Sequence, residues 1–379
     1  MVVFGALFLR RPADASPAVA APAADRDRLQ SAQAPGTLQQ PNARKSLLLL
    51  LSRIQVQTHD TKTLRFLLPL HERIHARPGQ FLTFNWIVDG KAVCRSYSIC
   101  SSPLQTGHLE ITVKRAEGGC VSAFLNQHAR VGLTVEAQGP SGRFCFDELQ
   151  DTRIVLIAGG SGITPMMSML RYIDDLGLPT GATLLYFVRT SRDIIFANEL
   201  AKLRVSIQNF RYTVILSRPD ESWKGATGYL TRELLENNVS QISSSTFFLC
   251  GPEPMMKSAC SILHSLGIPD TQIRQESFGS QPAPSSASGE HKPSGKLVLA
   301  RSRRSCDLLE GRTLLESAEA SGIFLPFSCR QGECGTCALR VISGRVRMST
   351  EEGLYPEQKE QGYALACVAH GEGSVTVDL

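Results

Sequence analysis

No stretch of this chain is long and apolar enough to span a bilayer. The five leucines at 47–51 fall far short of the roughly 20 apolar residues a spanning helix needs. The first nine residues, MVVFGALFL, are apolar but have no basic region before them. Arg10 and Arg11 follow instead, with no convincing cleavage site, so a secretory signal is not expected and at most a weak membrane-surface association is. Charge of one sign is lacking too. Forty basic residues against 35 acidic ones leave a net charge of +5, with no long run of either sign, which argues against a nucleic-acid partner. The eight histidines are scattered without metal-ligand spacing. No G-x-G-x-x-G fingerprint is present. A disulfide framework is not indicated either. Eleven cysteines is an odd number in a 379-residue chain, and such usage fits a reducing, cytoplasmic compartment where thiols stay reduced. Hydrophobic content of 42% is ordinary for a globular protein, and the length allows two or three domains, each with its own core.

What is present starts near the C-terminus. Cys329, Cys334 and Cys337 stand as C-x4-C-x2-C, with Cys367 thirty residues beyond Cys337. Three thiolates on a short loop and one from a later strand can give each iron of a [2Fe–2S] pair two sulfur ligands, and this is the spacing of plant-type ferredoxins. Gly332 and Gly335 suit a loop that wraps closely and turns its N–H groups toward sulfur. The alternatives are a zinc site, which usually shows two C-x2-C knuckles where only one is seen here, and a disulfide pair.

The rest of the chain divides by composition. Residues 1–43 contain an Ala-, Pro-, Gln- and Asp-rich stretch that cannot bury enough surface to offset its ordering entropy, and we expect a disordered extension. Residues 44–148 carry β-rich runs at Leu48–Val56, Lys62–Leu68, Gln80–Trp86, Ala92–Ile99, His108–Lys114 and Leu133–Ala137, with a short helix at Val121–Gln127. That pattern predicts an antiparallel barrel. Residues 149–278 alternate strands (Ile154–Ala158, Thr183–Val188, Arg211–Leu216, Thr246–Cys250) with helices (from Pro165, Ile194–Leu203, Thr231–Asn237, Pro254–Leu266), the pattern of a parallel doubly wound sheet. Residues 279–295 form a Pro/Ser/Ala/Gly-rich linker. Its seventeen residues would span roughly 20–25 Å as a flexible coil, enough for the last domain to swing between two docking positions. Residues 296–379 are the cluster domain, with strands at Lys296–Ala300, Ala338–Ser343 and Ser374–Asp378 and a helix near Thr313–Ala320.

Several motifs in the first two domains suit nucleotide cofactors. Arg95-Ser96-Tyr97-Ser98 ends a barrel strand. A guanidinium binds pyrophosphate bidentately, a tyrosine can cover a flavin ring and a serine hydroxyl can reach flavin N5, although alone the tetrapeptide is an ordinary alternating strand. Gly118-Gly119-Cys120-Val121-Ser122 opens the short helix, where free N–H groups and the helix dipole suit a phosphate. Gly159-Gly160-Ser161-Gly162-Ile163-Thr164-Pro165 permits a tight turn and close backbone approach, with Thr164 placed to cap the helix and Pro165 to start it. A glycine-rich strand–helix turn without a ligand is the plain alternative. Cys250-Gly251-Pro252 follows the last clear parallel strand, where such sheets place ligands, although a cysteine there is more often packing. Arg301, Arg303 and Arg304 read as a solvated edge. Glu333, Glu351, Glu352 and Glu357 read equally as a solvated face or an acidic docking face.

In this order the motifs resemble those of the ferredoxin–NADP⁺ reductase superfamily over residues 46–278. With the C-terminal cluster motif, the whole resembles the reductase components of multicomponent oxygenases. The resemblance implies a β-barrel FAD domain, a doubly wound NAD(P) domain and an α+β, β-grasp ferredoxin domain. It implies FAD contacts at Arg95, Ser96, Tyr97, Ser98, Lys114, Gly119, Val121, Ser122, Thr164 and Phe278, and NAD(P) contacts at Gly160, Gly162, Thr164, Ser217, Arg218, Tyr229, Cys250 and Gly251. Ser98, Cys250 and Glu276 would line the hydride path, and Cys329, Cys334, Cys337 and Cys367 would hold the cluster. Ser217-Arg218 and Tyr229 are the pair and the tyrosine that grip the ribose 2′-phosphate in NADPH-using relatives, so NADPH is expected over NADH. The implied activity is transfer of electrons from NAD(P)H through FAD to a [2Fe–2S] cluster and on to a protein partner: a terminal oxygenase, hydroxylase, desaturase or hybrid-cluster protein. A regulatory FAD/[2Fe–2S] module with little turnover, or a self-contained reductase of quinones, are the rival readings.

Overall fold

The computed structural model describes residues 47–278 and 292–379, apart from 328, 329, 331, 333 and 334. The expected N-terminal extension and most of the expected linker lie outside the described residues, as do Cys329 and Cys334.

The first sheet comprises β1 (Leu47–Thr58), β2 (Thr61–Leu67), β3 (Phe81–Val88), β4 (Lys91–Ser98), β5 (His108–Lys114) and, after helix α1 (Cys120–Gln127), β6 (Thr134–Ser141). The strand order is β4-β3-β6-β1-β2-β5, every pairing is antiparallel, and an Ile99–Ile111 bridge joins the two ends into a barrel. Period-two alternation explains the leucine run. Leu47, Leu49 and Leu51 enter the barrel core while Leu48 and Leu50 face outward. Phe66, Phe84 and Trp86 fill the interior, with Phe84 stacked on Trp86 at 5.4 Å between ring centroids.

The second sheet is wholly parallel. It contains β7 (Arg153–Gly159), β8 (Gly181–Val188), β9 (Phe210–Leu216), β10 (Ala226–Thr227), β11 (Thr246–Cys250) and β12 (Ile273–Glu276), in the order β10-β9-β8-β7-β11-β12. Helices α2 (Ile163–Leu176), α3 (Ala197–Ser206), α4 (Arg232–Asn238) and α5 (Glu253–Ser265) connect the strands. Separate apolar clusters form on the two faces of this sheet, which is why β7 is buried almost without interruption. The third sheet, β14-β13-β17-β15-β16, is mixed. It is built from β13 (Pro293–Leu299), β14 (Arg304–Leu309), β15 (Ala338–Met348), β16 (Tyr363–Leu365) and β17 (Ala369–Val377), with β13 and β17 parallel and helices α6 (Leu314–Ala320) and α7 (Pro356–Glu360) beside it.

Some local expectations change. Helix α3 starts at Ala197 rather than Ile194, because Ile195 and Phe196 turn into the core, Phe196 with φ of 60°. The expected linker contains the first residues of β13, from Pro293. The expected solvated edge at Arg301, Arg303 and Arg304 is exposed and lies at the rim of the third sheet. Arg304 begins β14, and Arg301 holds both oxygens of Asp378 at 2.6 and 2.8 Å.

Candidate functional site

The parallel sheet has its topological switch between β7 and β11, because the chain runs from β7 toward β8 on one side and returns later to lay β11 on the other. Ligands bind beyond the carboxyl ends of strands at such a point. Ala158, Cys250 and Glu276 are register partners across β7, β11 and β12, so the expected glycine loop, Cys250 and Glu276 end side by side. The glycines there are needed for packing. A Cβ on Gly162 would stand 2.0 Å from the Cys250 carbonyl oxygen, and one on Gly251 would stand 2.9 Å from the Gly159 nitrogen. Gly160 differs: its φ is +54° and nothing crowds it, so its backbone is the one left open toward a ligand.

Thr164 does not cap the helix as expected. A 3₁₀ turn at Gly160–Gly162 brings the start of α2 forward to Ile163, so Pro165 is not its first residue. The Thr164 hydroxyl instead donates back to the Ser161 carbonyl at 2.9 Å. The barrel supplies the opposite wall. Ser98, at the end of β4, donates its hydroxyl to Glu276 Oε2 at 3.3 Å, so the three expected hydride-path residues meet where the two domains face each other. Cys250 is fully buried. Burial, and then the nearby Glu276 carboxylate, push its thiol well above the ordinary range, so it is a neutral apolar wall.

A buried ion network holds the two domains in this geometry. Arg171 of α2 binds Glu199 through two nitrogens at 2.6 and 2.8 Å, Glu110 of β5 at 3.0 Å and the Cys100 carbonyl at 2.8 Å. Glu110 also meets Arg65 at 2.8 Å, and Ser168 donates to the Ser101 carbonyl at 2.9 Å.

In the third domain the Sγ atoms of Cys337 and Cys367 lie 3.1 Å apart, too far for a disulfide, which needs about 2.05 Å, and close enough to share one soft, tetrahedral metal. The cluster-loop glycines have the geometry expected of them. Gly332 and Gly335 have φ of 78° and 71°, and a Cβ on Gly335 would stand 2.5 Å from the Gly353 carbonyl oxygen. The chain just before this loop abuts the barrel. Ser96 donates its hydroxyl to the Phe327 carbonyl at 2.9 Å, two residues before Cys329, while Thr83 lies 2.9 Å from Ser96.

Three family models match in chain order: the oxidoreductase FAD-binding domain over residues 49–146, the oxidoreductase NAD-binding domain over 156–261 and the 2Fe-2S iron-sulfur cluster binding domain over 297–370. The glycine betaine monooxygenase reductase subunit of Chromohalobacter salexigens is 32% identical over 85% of this chain and 92% of its own length. The ferredoxin reductase component of 3-ketosteroid-9-alpha-monooxygenase from Rhodococcus rhodochrous is 33% identical over 88% and 96%. Among solved structures, phthalate dioxygenase reductase shares the fold, with a TM-score of 0.59 and 23% identity over 88% of this chain and 98% of its own. The chain belongs to this reductase family. It is an oxidoreductase with FAD-binding, NAD-binding and [2Fe–2S]-binding domains.

The residues present in this reductase fit the flavin. No side chain caps the N-terminus of α1, and a recess of about 640 Å³ there is lined by Arg115, Gly118, Gly119 and Cys120 among others. The guanidinium of Arg95 makes no ion pair among the described residues and donates to the Cys94 carbonyl at 2.6 Å. Burial, with Arg330 nearby, pushes its pKa down. Tyr97 is anchored edge-on against Phe84, 6.0 Å between centroids. Other expected contacts are narrower than implied. The Val121 side chain lies in the barrel core, and Ser122 binds the Ala116 N–H and the Gly119 carbonyl, so these two offer a ligand mainly backbone. The Ser96 side chain faces the cluster domain instead of a cofactor. Lys114 is held by Asp60 at 2.6 Å, and its ammonium fills the space among His59, Asp60 and Asp193 where a cation could otherwise sit. Phe278 is 42% exposed at the end of the second domain.

For the nucleotide, Ser217 and Arg218 extend the ladder past β9, bonding through their N–H groups to the Val188 and Arg189 carbonyls at 3.0 and 2.8 Å. Arg218 and Tyr229 are exposed. Arg189 thereby stands at the same strand ends as Arg218, a second cation that sequence reading missed because its only signal is the pairing of β8 with β9. Sequence reading also missed Phe327 and Arg143, whose significance depends on contacts between domains.

Proposed function

We propose that this reductase is the electron-supplying component of a multicomponent oxygenase, cytoplasmic, using NADPH in preference to NADH and delivering electrons one at a time to a terminal oxygenase or hydroxylase. Relatives named as components of a glycine betaine monooxygenase, a 3-ketosteroid-9-alpha-monooxygenase and a 1,2-phenylacetyl-CoA epoxidase cover comparable shares of the chain, which supports an oxygenase-type acceptor and singles out no substrate. The observation that carries the reading is that the three sites adjoin one another in one chain: Ser98 reaches Glu276 at 3.3 Å between the first two domains, and Ser96 reaches Phe327 at 2.9 Å between the first and third.

When bound, FAD would provide an acceptor for the hydride of NAD(P)H, and the [2Fe–2S] cluster, which Cys329, Cys334, Cys337 and Cys367 would hold, would provide one-electron transfer. The chain's own residues set position and solvent access. Arg95, Tyr97 and the open N-terminus of α1 bind and orient the flavin. Ser98 and Glu276 fix the meeting edge of the two domains. Buried Thr164 and Cys250 exclude water from it. The guanidinium groups of Arg189 and Arg218 and the hydroxyl of Ser217 supply donors suited to a ribose 2′-phosphate. No proton needs to be abstracted, which accords with a site whose thiol is held neutral.

An anaerobic titration with NADPH and, separately, NADH tests this, following flavin absorbance and the EPR signal of the reduced cluster. The expected result is bleaching of the flavin, appearance of the cluster signal and faster reduction by NADPH. Faster reduction by NADH would remove the 2′-phosphate assignment, and no reduction by either would remove the reductase reading for the isolated chain.

A further inference from the structure

The first domain meets the cluster domain at two places beside the cluster cysteines. On one side lies the hydrogen bond from Ser96 to the Phe327 carbonyl. On the other, the segment at 350–355 lies directly against the loop. The Gly353 N–H donates to the Gly332 carbonyl at 2.8 Å, and a Cβ on Gly353 would stand 2.5 Å from that oxygen and 2.9 Å from the Gly335 nitrogen. Arg143, just after the last barrel strand, holds this segment. Its guanidinium lies 3.5 Å over the ring centroid of Tyr355, and its Nη1 donates to the Glu352 carbonyl at 3.1 Å. No acidic side chain among the described residues pairs with Arg143, and its Nε and Nη2 are buried without a hydrogen-bond partner there. Its strongest described contacts are therefore with the cluster domain.

We propose that Arg143 is a positioning residue for internal electron transfer: by stacking on Tyr355 and binding the Glu352 carbonyl, it seats the 350–355 segment, and with it the cluster loop, against the flavin domain. This rests on the reading that electrons pass from flavin to cluster within one chain. Electron transfer over a gap slows as the gap widens or the relative placement of donor and acceptor is lost, so a contact that fixes the docking of the two domains sets its rate. A guanidinium over an aromatic ring supplies a planar, oriented contact that an ammonium does not reproduce.

The test uses the full-length holoprotein and the variants Arg143→Ala, Tyr355→Leu and Tyr355→Phe. Flavin bleaching and cluster EPR are followed after rapid mixing with NADPH, and hydrogen exchange is measured across 350–355 in the unreduced protein. Arg143→Ala and Tyr355→Leu should leave flavin bleaching at the wild-type rate, slow the cluster signal by about tenfold or more, and raise exchange across 350–355. Tyr355→Phe, which keeps the ring, should restore wild-type behaviour in both measurements. If both disruptive variants reduce the cluster at the wild-type rate with unchanged exchange, the assignment of Arg143 is wrong. If Tyr355→Phe is as slow as Tyr355→Leu, the ring contact is not what positions the loop. A cluster that stays oxidised in the wild type would instead refute the underlying electron path.

Discussion

Ser98 and Glu276 belong to different domains and have no relation in the sequence, yet their side chains meet at 3.3 Å. Each holds the other where the first two domains face each other. Ser98→Ala and Glu276→Ala should each slow NADPH-driven flavin bleaching by about 10- to 100-fold in stopped-flow absorbance. The double variant should be little slower than either single one, because residues in direct contact are not additive. Cys250 completes this edge without acting as a nucleophile, since burial removes the solvation a thiolate needs. The family motifs singled out these three residues in the sequence, and the fold brings them to one edge. The uncapped state of α2 and the commitment of Ser96 to Phe327 were not legible there, because a hydroxyl's partner is chosen by whichever carbonyl the fold brings within reach.

At the scale of the element, the turn joining β7 to α2 shows how a glycine-rich motif can serve packing and binding at once. Gly162 has ordinary helical backbone angles, so its restriction is steric and comes from the end of β11. Gly162→Ala should therefore destabilise the protein by about 3 kcal/mol and displace the Cys250 carbonyl, lowering the urea midpoint. Gly160→Ala meets no such wall and should lose only the modest cost of its left-handed φ. Long runs such as β1, β7 and β11 were readable from their apolar period. The short strands β12, β14 and β16 were not. β12 and β14 are polar edge strands in which only alternate or single residues enter a core, and β16 is three residues long. The two-residue β10 carries no period at all.

For the whole molecule, the decisive feature is the network that locks barrel to parallel sheet. Arg171 is 17% exposed and Glu110 11%, so removing the guanidinium leaves carboxylates with little solvent. Arg171→Met should cost about 3–5 kcal/mol in urea unfolding, because Glu110 keeps only Arg65 while Glu199 loses both of its hydrogen bonds from Arg171. The loss would also loosen the meeting of Ser98 and Glu276, so flavin bleaching should slow in the folded variant. Among the described residues, no helix is long and apolar enough to cross a membrane.

By itself the sequence determined the three modules and their order, because apolar period separates barrel from doubly wound sheet and because C-x4-C-x2-C with a distant fourth cysteine is a metal-ligand spacing written locally. It also marked the glycine turns and strand ends that the fold then gathers, since these are local features. Only the tertiary structure decided which surfaces meet. The pairing of Ser98 with Glu276, the bond from Ser96 to Phe327, the seat of Arg143 on Tyr355 and the closure of Arg171 on two carboxylates all join residues far apart in the chain. Such contacts leave no periodic trace. Their stability comes from desolvation and geometry that exist once separate sheets have packed together.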